Sequence, residues 1–255
     1  MTPLPHSLDR TITIRAPREI VFAYFTDDAR WSAWWGSGST IDARPGGAVL
    51  IRYPNGVEVR GDVLVLDPPS RIVFTYGYAS GAPIAPGESR VTIVLEDAGR
   101  GRTRLSLRHE FADAAARDLH VQGWRYQLSV FSNLVSNDRH ASAAAAADAW
   151  FAIWADPDAE SRARMLAAVA APDVTFADKF SALAGHDDLL PHIAASQQFM
   201  PGVRLTRTGH ARQCQGTVLT DWIATGADGR EIGRGTNVFT LDGEGRIESV
   251  TGFWT

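Results

Sequence analysis

Asn237-Val238-Phe239-Thr240-Leu241-Asp242-Gly243-Glu244-Gly245-Arg246-Ile247, running on to Gly252-Phe253-Trp254-Thr255, closes the chain. Two apolar-alternating segments flank an Asp-Gly-Glu-Gly turn, which is the pattern of an antiparallel hairpin. A second turn, Gly226-Ala227-Asp228-Gly229, precedes the strand Arg230–Leu241, and the strands Val203–Gln215 and Thr217–Gly226 lie upstream of it. Helical patterns cover 143–154, 159–170 and 186–199; Pro191 must distort the third of these or sit in its first turn. Between them a short edge strand, Asp173–Ala177, ends on Asp178. Helices packed on a strongly bent sheet, an α+β cone, follow from this order.

The N-terminal half has a different order. Leu8–Ile14 alternates as a strand, and Pro17 opens a helix through Phe25, proline suiting the first helical position. An aromatic segment, Trp31–Trp35, comes next. Strands follow near 40–43, 49–53, 57–67, 71–78, 89–96 and 103–111, punctuated by Gly46-Gly47, Asn55-Gly56, Pro68-Pro69 and Gly99–Gly101. Alternation of Leu105, Leu107, His109 and Phe111 puts His109 on the inner face. A long helix over 114–137 carries the stripe Val121, Trp124, Leu128, Phe131, Val135. A strand, two short helices, a curved antiparallel sheet and a closing helix make a helix-grip cup. The polar and alanine-rich stretch 137–147 marks the boundary, giving domains 1–140 and 141–255; because element order differs, the halves are not a repeat.

Composition narrows the function classes. The chain has 255 residues, 45% apolar, and a net charge of -4 without a basic cluster, which argues against a phosphate-reading nucleic-acid surface. No stretch reaches membrane-span length, and Met1–Arg10 lacks a signal-peptide core. One cysteine, Cys214, permits no internal disulfide; it reads as a buried strand residue, and a reducing, cytoplasmic setting is expected. His186 and His192, six residues apart, do not share a helical face, and no zinc-type carboxylate–histidine motif occurs, so neither metal nor cofactor is expected.

Residues 9–137 resemble the SRPBCC (START/Bet v 1-like) superfamily, in particular its Hsp90-ATPase-activator-homologue type. Ala16-Pro17 with Val21-Phe22, Trp34-Trp35, Asp42, Arg44-Pro45-Gly46-Gly47, Gly61, Asp67-Pro68-Pro69, His109, and His120 with Gly123-Trp124 carry the likeness. Members bind hydrophobic ligands, cyclise polyketides or have no known activity. Residues 143–255 resemble the SnoaL-like and ketosteroid-isomerase-like branch of the NTF2-like superfamily. That likeness implies a general base at Asp178, an oxyanion-hole position at Asn237, a pocket aromatic at Trp254 and homodimerisation through the sheet. The isomerases' first-helix tyrosine falls here on Trp150 or Phe151, neither of which has a hydroxyl.

The candidate catalytic residues are therefore Asp178, Asn237 and Asp221. A carboxylate at the mouth of an apolar cup can move protons, an amide among apolar neighbours must be hydrogen-bonded, and Asp221 pairs with Asp178 only if the cup lies on its side of the sheet, away from Trp222. Candidate ligand contacts are Trp222, Trp254, Phe176, Phe239 and His192 in the second half, and His109, His120, Trp124 and Arg44 in the first. Three readings stay open: an isomerase, cyclase or lyase using an aspartate base on a hydrophobic small molecule; a non-catalytic carrier or sensor; or a homodimeric interaction module.

Overall fold

Apolar alternation in the N-terminal half pairs its strands into one antiparallel sheet. The computed structural model describes residues 3–255 and divides into two units, Met1–Val135 and Ser136–Thr255. The first contains β1 (His6–Ile14), α1 (Arg18–Ala23), α2 (Asp28–Trp35), β2 (Thr40–Ile41), β3 (Ala48–Arg52), β4 (Glu58–Asp67), β5 (Arg71–Tyr78), β6 (Ser89–Asp97), β7 (Thr103–Phe111) and most of α3 (Ala114–Arg139). Strand order is β1-β7-β6-β5-β4-β3-β2, and the long α3 closes the helix-grip cup. Pro17 caps α1 rather than occupying its first turn. The aromatic segment is helical: Asp27 accepts the Arg30 N–H at 2.9 Å, and the spacing of Trp31, Trp34 and Trp35 buries all three on one face. They meet Phe25, Phe74, Phe131 and Trp124 in an aromatic core of mostly edge-to-face contacts.

The second unit contains α4 (Ala143–Ala155), α5 (Ala159–Val169), β8 (Ala170–Ala177), β9 (Ala182–Ala184), α6 (Gly185–Phe199), β10 (Arg204–Cys214), β11 (Thr217–Thr225), β12 (Glu231–Leu241) and β13 (Ile247–Trp254). Its sheet runs β10-β11-β12-β13-β8-β9. The β13–β8 pair is parallel and the other pairs are antiparallel. The second unit is thus an α+β fold of three helices with one mixed six-stranded sheet. Three expectations change. The strand ending at Asp178 is not the edge, because the chain reverses at 178–181 and three-residue β9 covers it. Helix α6 continues through Pro191, whose side chain is exposed. Cys214 is exposed, as the last residue of edge strand β10.

Phe239 is also corrected. It shares a face with Asn237 but lies deeper, 1% exposed beneath Trp150 and Phe151 with ring centroids at 6.3 and 6.1 Å. It is core, not cavity wall. Phe239→Ala is expected to lower the stability of the second unit by about 3–5 kcal/mol through the void it leaves. Glu160→Ala, on the exposed face of α5, should change it by less than about 0.5 kcal/mol. Chemical denaturation of the two variants checks both.

Candidate active site

Three of the four residues at the β8–β9 reversal, Asp178, Phe180 and Ser181, line one cavity of about 520 Å³ in the second unit. The turn forms because the Asp178 N–H donates to the Ser181 carbonyl at 2.9 Å, while the Phe180 N–H donates to Asp178 Oδ1 at 2.9 Å, as aspartate does at turn starts. The other carboxylate oxygen, Oδ2, accepts the Trp254 indole N–H at 3.0 Å. Each oxygen keeps a free lone pair. Phe180 packs edge-on against Trp254, centroids 5.5 Å apart, and the Ser181 hydroxyl shares a 3.1 Å hydrogen bond with His192 Nε2 from α6.

Asn237 reaches the same cavity from β12. It is 5% exposed, and its Oδ1 accepts the Trp222 indole N–H at 2.9 Å. An indole can only donate, so this bond fixes the amide's orientation and leaves Nδ2–H₂ as the outward donor. Nδ2 makes no hydrogen bond among the described residues. Trp222 and Trp254 stand edge-to-face, 4.9 Å apart at 85°. One indole thus holds the carboxylate and the other holds the amide.

Gly252 explains why the two groups converge. It pairs with Asn237 across β12–β13, and a Cβ there would lie 3.2 Å from Asn237 Oδ1 and 3.3 Å from Asp178 Cβ. The missing side chain is a notch between the base candidate and the donor candidate. Gly235, on the neighbouring register, makes comparable room for Trp222: a Cβ would come within 2.6 Å of its ring.

The remaining expected residues fall on both sides of the line. Phe176 and His192 line the cavity, together with Trp150, Trp154, Ser196 and Gln197. Trp150 stands where a hydroxyl is absent, and Phe151 is buried core. Asp221 is excluded: it is exposed on the opposite face of β11, accepts the Thr236 hydroxyl at 2.6 Å and lies 3.7 Å from Arg212. It cannot pair with Asp178, because Trp222 next to it takes the cavity side.

The first unit holds a separate cavity of about 480 Å³, lined by Trp34, Trp35, Tyr53, Tyr76, Tyr78, His120, Trp124 and Gln127 among others. His120 and Trp124 are therefore wall residues of this cavity. His109 is not: it is fully buried behind them. Trp124 donates to its Nδ1 at 3.0 Å, which places the proton on Nε2, facing the Ser89 hydroxyl at 2.8 Å; Ser89 in turn donates to the Tyr76 carbonyl at 2.7 Å. Burial, and then the neighbouring His120, hold His109 well below the ordinary histidine range. Burial also pushes His120 down. Its Nδ1 donates to the Ala116 carbonyl at 2.7 Å, so Nε2 accepts from Tyr78 at 3.2 Å. Tyr53 and Tyr76 share a 3.0 Å hydrogen bond, and burial pushes the Tyr53 phenol up to about 12. Arg44 is excluded: it is exposed and paired with Asp42 at 2.9 Å.

Residues that pattern reading missed are Ser181, Gly252 and the three tyrosines. Their signal is topological: Tyr76 and Tyr78 share one face of β5 while Tyr53 follows β3, and Gly252 matters only through its register with Asn237. The described residues hold no cluster of histidine, cysteine and acidic side chains able to bind a metal, and no helix among them is long and apolar enough to cross a membrane.

The histidine geometry has a pH consequence. His109 and His120 have folded values below the unfolded one of about 6.5, so the unfolded state binds protons more readily. Their contribution to stability is complete above about 6.5 and is lost as pH falls below it. Thermal melts should show this acid loss, with a shallower slope in His109→Gln, and imidazole NMR should find His109 as the Nε2–H tautomer.

No curated protein matches the chain. Among solved structures, a SnoaL-like-family protein from Agrobacterium tumefaciens, proposed to be an isomerase, is 26% identical over 46% of this chain and 98% of its own, with a TM-score of 0.42. CalU16 from Micromonospora echinospora is 26% identical over 52% of this chain and 77% of its own, TM-score 0.43. An AHSA1-like protein from Rhizobium etli is 28% identical over 52% and 84%, TM-score 0.41. Residues 15–136 match the family model described as Activator of Hsp90 ATPase homolog 1-like protein.

Proposed function

We propose that the second unit takes an apolar small molecule and transfers a proton next to a carbonyl, as an isomerase, cyclase or lyase. Asp178 acts as the base, and the Asn237 amide donates to the oxygen on which negative charge develops. The observation that carries this reading is the notch at Gly252, where a carboxylate and an oriented amide donor converge inside a largely aromatic cavity. A donor fixed before reaction costs no reorganisation when charge appears on oxygen. Trp254 and the Phe180 N–H hold the carboxylate in one place, which limits the loss of orientation on proton transfer. His192, tied to Ser181, is the other titratable side chain on the cavity wall and is placed to return a proton.

The first unit, in this reading, holds a second hydrophobic molecule, or the same one, against neutral phenols and a neutral imidazole. It has no carboxylate on its cavity wall, so its role is binding. A carrier reading of the whole chain draws on the absence of a hydroxyl at Trp150 and Phe151. A self-associating sheet draws on the outer face of β11–β13, where Phe253 is 55% exposed beside Thr236 and Asp221.

Exchange of the α-protons of α-tetralone in D₂O, followed by NMR, tests the catalytic assignment. The protein is expected to accelerate exchange over buffer. Asp178→Asn should lose about 10²-fold or more of that acceleration and Asn237→Leu about 10²-fold, with tetralone binding retained in Asp178→Asn. Asp178→Asn exchanging at the original rate excludes Asp178 as base, and unchanged binding with no exchange by any form favours the carrier. Sedimentation equilibrium reads the association: a species at twice 27.7 kDa that reverts to monomer in Phe253→Asp supports the sheet interface.

A further inference from the structure

The chain contains 25 basic residues counted as lysine plus arginine, and Lys179 is its single lysine. That lysine follows the candidate base directly, in the turn that builds the cavity mouth. Its ammonium lies 4.8 Å from the Phe180 ring centre and 5.2 Å from that of Trp254, both wall residues of the cavity. Most arginines of the second unit face carboxylates, as Arg207 faces Asp148, Arg234 faces Glu231 and Arg246 faces Asp242. Lys179 forms no ion pair and no hydrogen bond among the described residues. Two ring faces hold a compact, strongly hydrated cation at the entrance without neutralising it.

A second feature surrounds the same entrance. Of the large apolar side chains exposed in the second unit, all but Phe253 belong to this cavity: Phe180, Phe199, Met200 and Ile232. Phe199 is 85% exposed and Phe180 71%. Exposed apolar side chains gathered at one cavity mark a binding surface. The collar extends the apolar wall outward, so it fits a molecule whose hydrocarbon body continues beyond the interior.

We infer that this cavity takes amphipathic anions: an apolar, ring-bearing body enclosed by the cavity and its collar, with a terminal carboxylate or phosphate seated at the mouth on Lys179. The inference rests on the reading of the cavity as the working site and names its substrate class. Charge sets the orientation. Asp178 inside repels a ligand anion, whereas Lys179 at the entrance attracts one, so the anionic end stays outward and the carbonyl end meets Asp178 and Asn237. The field of an unpaired mouth cation also raises the local concentration of anionic over neutral ligands.

Titration calorimetry of the intact protein with three probes of one body tests this: naphthalene-1-acetate, 1-naphthyl phosphate and the uncharged 1-naphthaleneacetamide. At least one acid is expected to bind about tenfold more tightly than the amide. The stronger acid identifies the headgroup. Lys179→Gln should bring that acid down to the amide's affinity while leaving the amide unchanged, Lys179→Arg should retain most of the preference, and added salt should shrink it. Because Lys179 is the only side-chain amine, acylation by sulfo-NHS acetate followed by peptide mass spectrometry gives an independent readout, and the favoured acid, not the amide, should protect it. Equal affinity for acids and amide, or a preference that survives Lys179→Gln, overturns the anion assignment and leaves the cavity reading standing. If no probe binds, both fall.

Discussion

Two indole N–H groups set the geometry on which the second unit depends. Trp254 donates to Asp178 and Trp222 donates to Asn237, and the two rings brace one another edge-to-face. Neither bond can reverse, because indole has no acceptor. A hydroxyl in either place could rotate and let the amide flip. Here the acceptor oxygen of Asn237 is always occupied, and its NH₂ is always the group presented. The glycines at 235 and 252 are the steric counterpart: one admits the Trp222 ring, the other keeps the space between carboxylate and amide open.

The first unit solves a different problem with the same residue types. Its core would bury two imidazoles, and buried imidazoles are tolerated only when neutral and hydrogen-bonded. Trp124, Ser89, the Ala116 carbonyl and Tyr78 supply one partner for each ring nitrogen of His109 and His120. The resulting wall is polar without being charged. It can orient a ligand oxygen but has no carboxylate with which to take a proton. The chemical distinction between the two cavities therefore lies in one group, the Asp178 carboxylate, and in the donor beside it.

Much of this was legible from residue order. Alternation located Asn237 among apolar neighbours and made Trp222 and Asp221 mutually exclusive, so the side on which Trp222 sits decided the fate of Asp221. Strand-end position located Asp178. Depth was not legible, because period-two alternation assigns a face but not a distance from the mouth. Asn237 and Phe239 share a face, yet one meets the cavity and the other supports its floor. The β9 strand escaped notice for a physical reason: three residues are too few to show a period. Missing it hid the turn at 178–181. Arg44 and His109 misled in opposite ways, a surface cation satisfied locally by Asp42 and an inner-face histidine satisfied one layer too deep.

Register accounts for what composition could not. Gly252 opposes Asn237, and Gly235 opposes Trp254, two register positions apart on the same strand pair with Thr236–Phe253 between them. A one-residue slip would place Phe253 opposite Asn237 and turn Trp254 away from Asp178, since neighbouring strand residues face opposite sides. The hairpin at 242–245 prevents that slip: buried Asp242 accepts the Glu244 and Arg246 N–H groups and the Arg246 guanidinium, so all its lone-pair directions toward the turn are used. The carboxylate most deeply buried in the second unit is thus a register pin, while the half-buried one at 178 is left with lone pairs to spare. In this fold, saturation of a carboxylate by its own loop marks structure, and incomplete saturation beside an oriented donor marks chemistry.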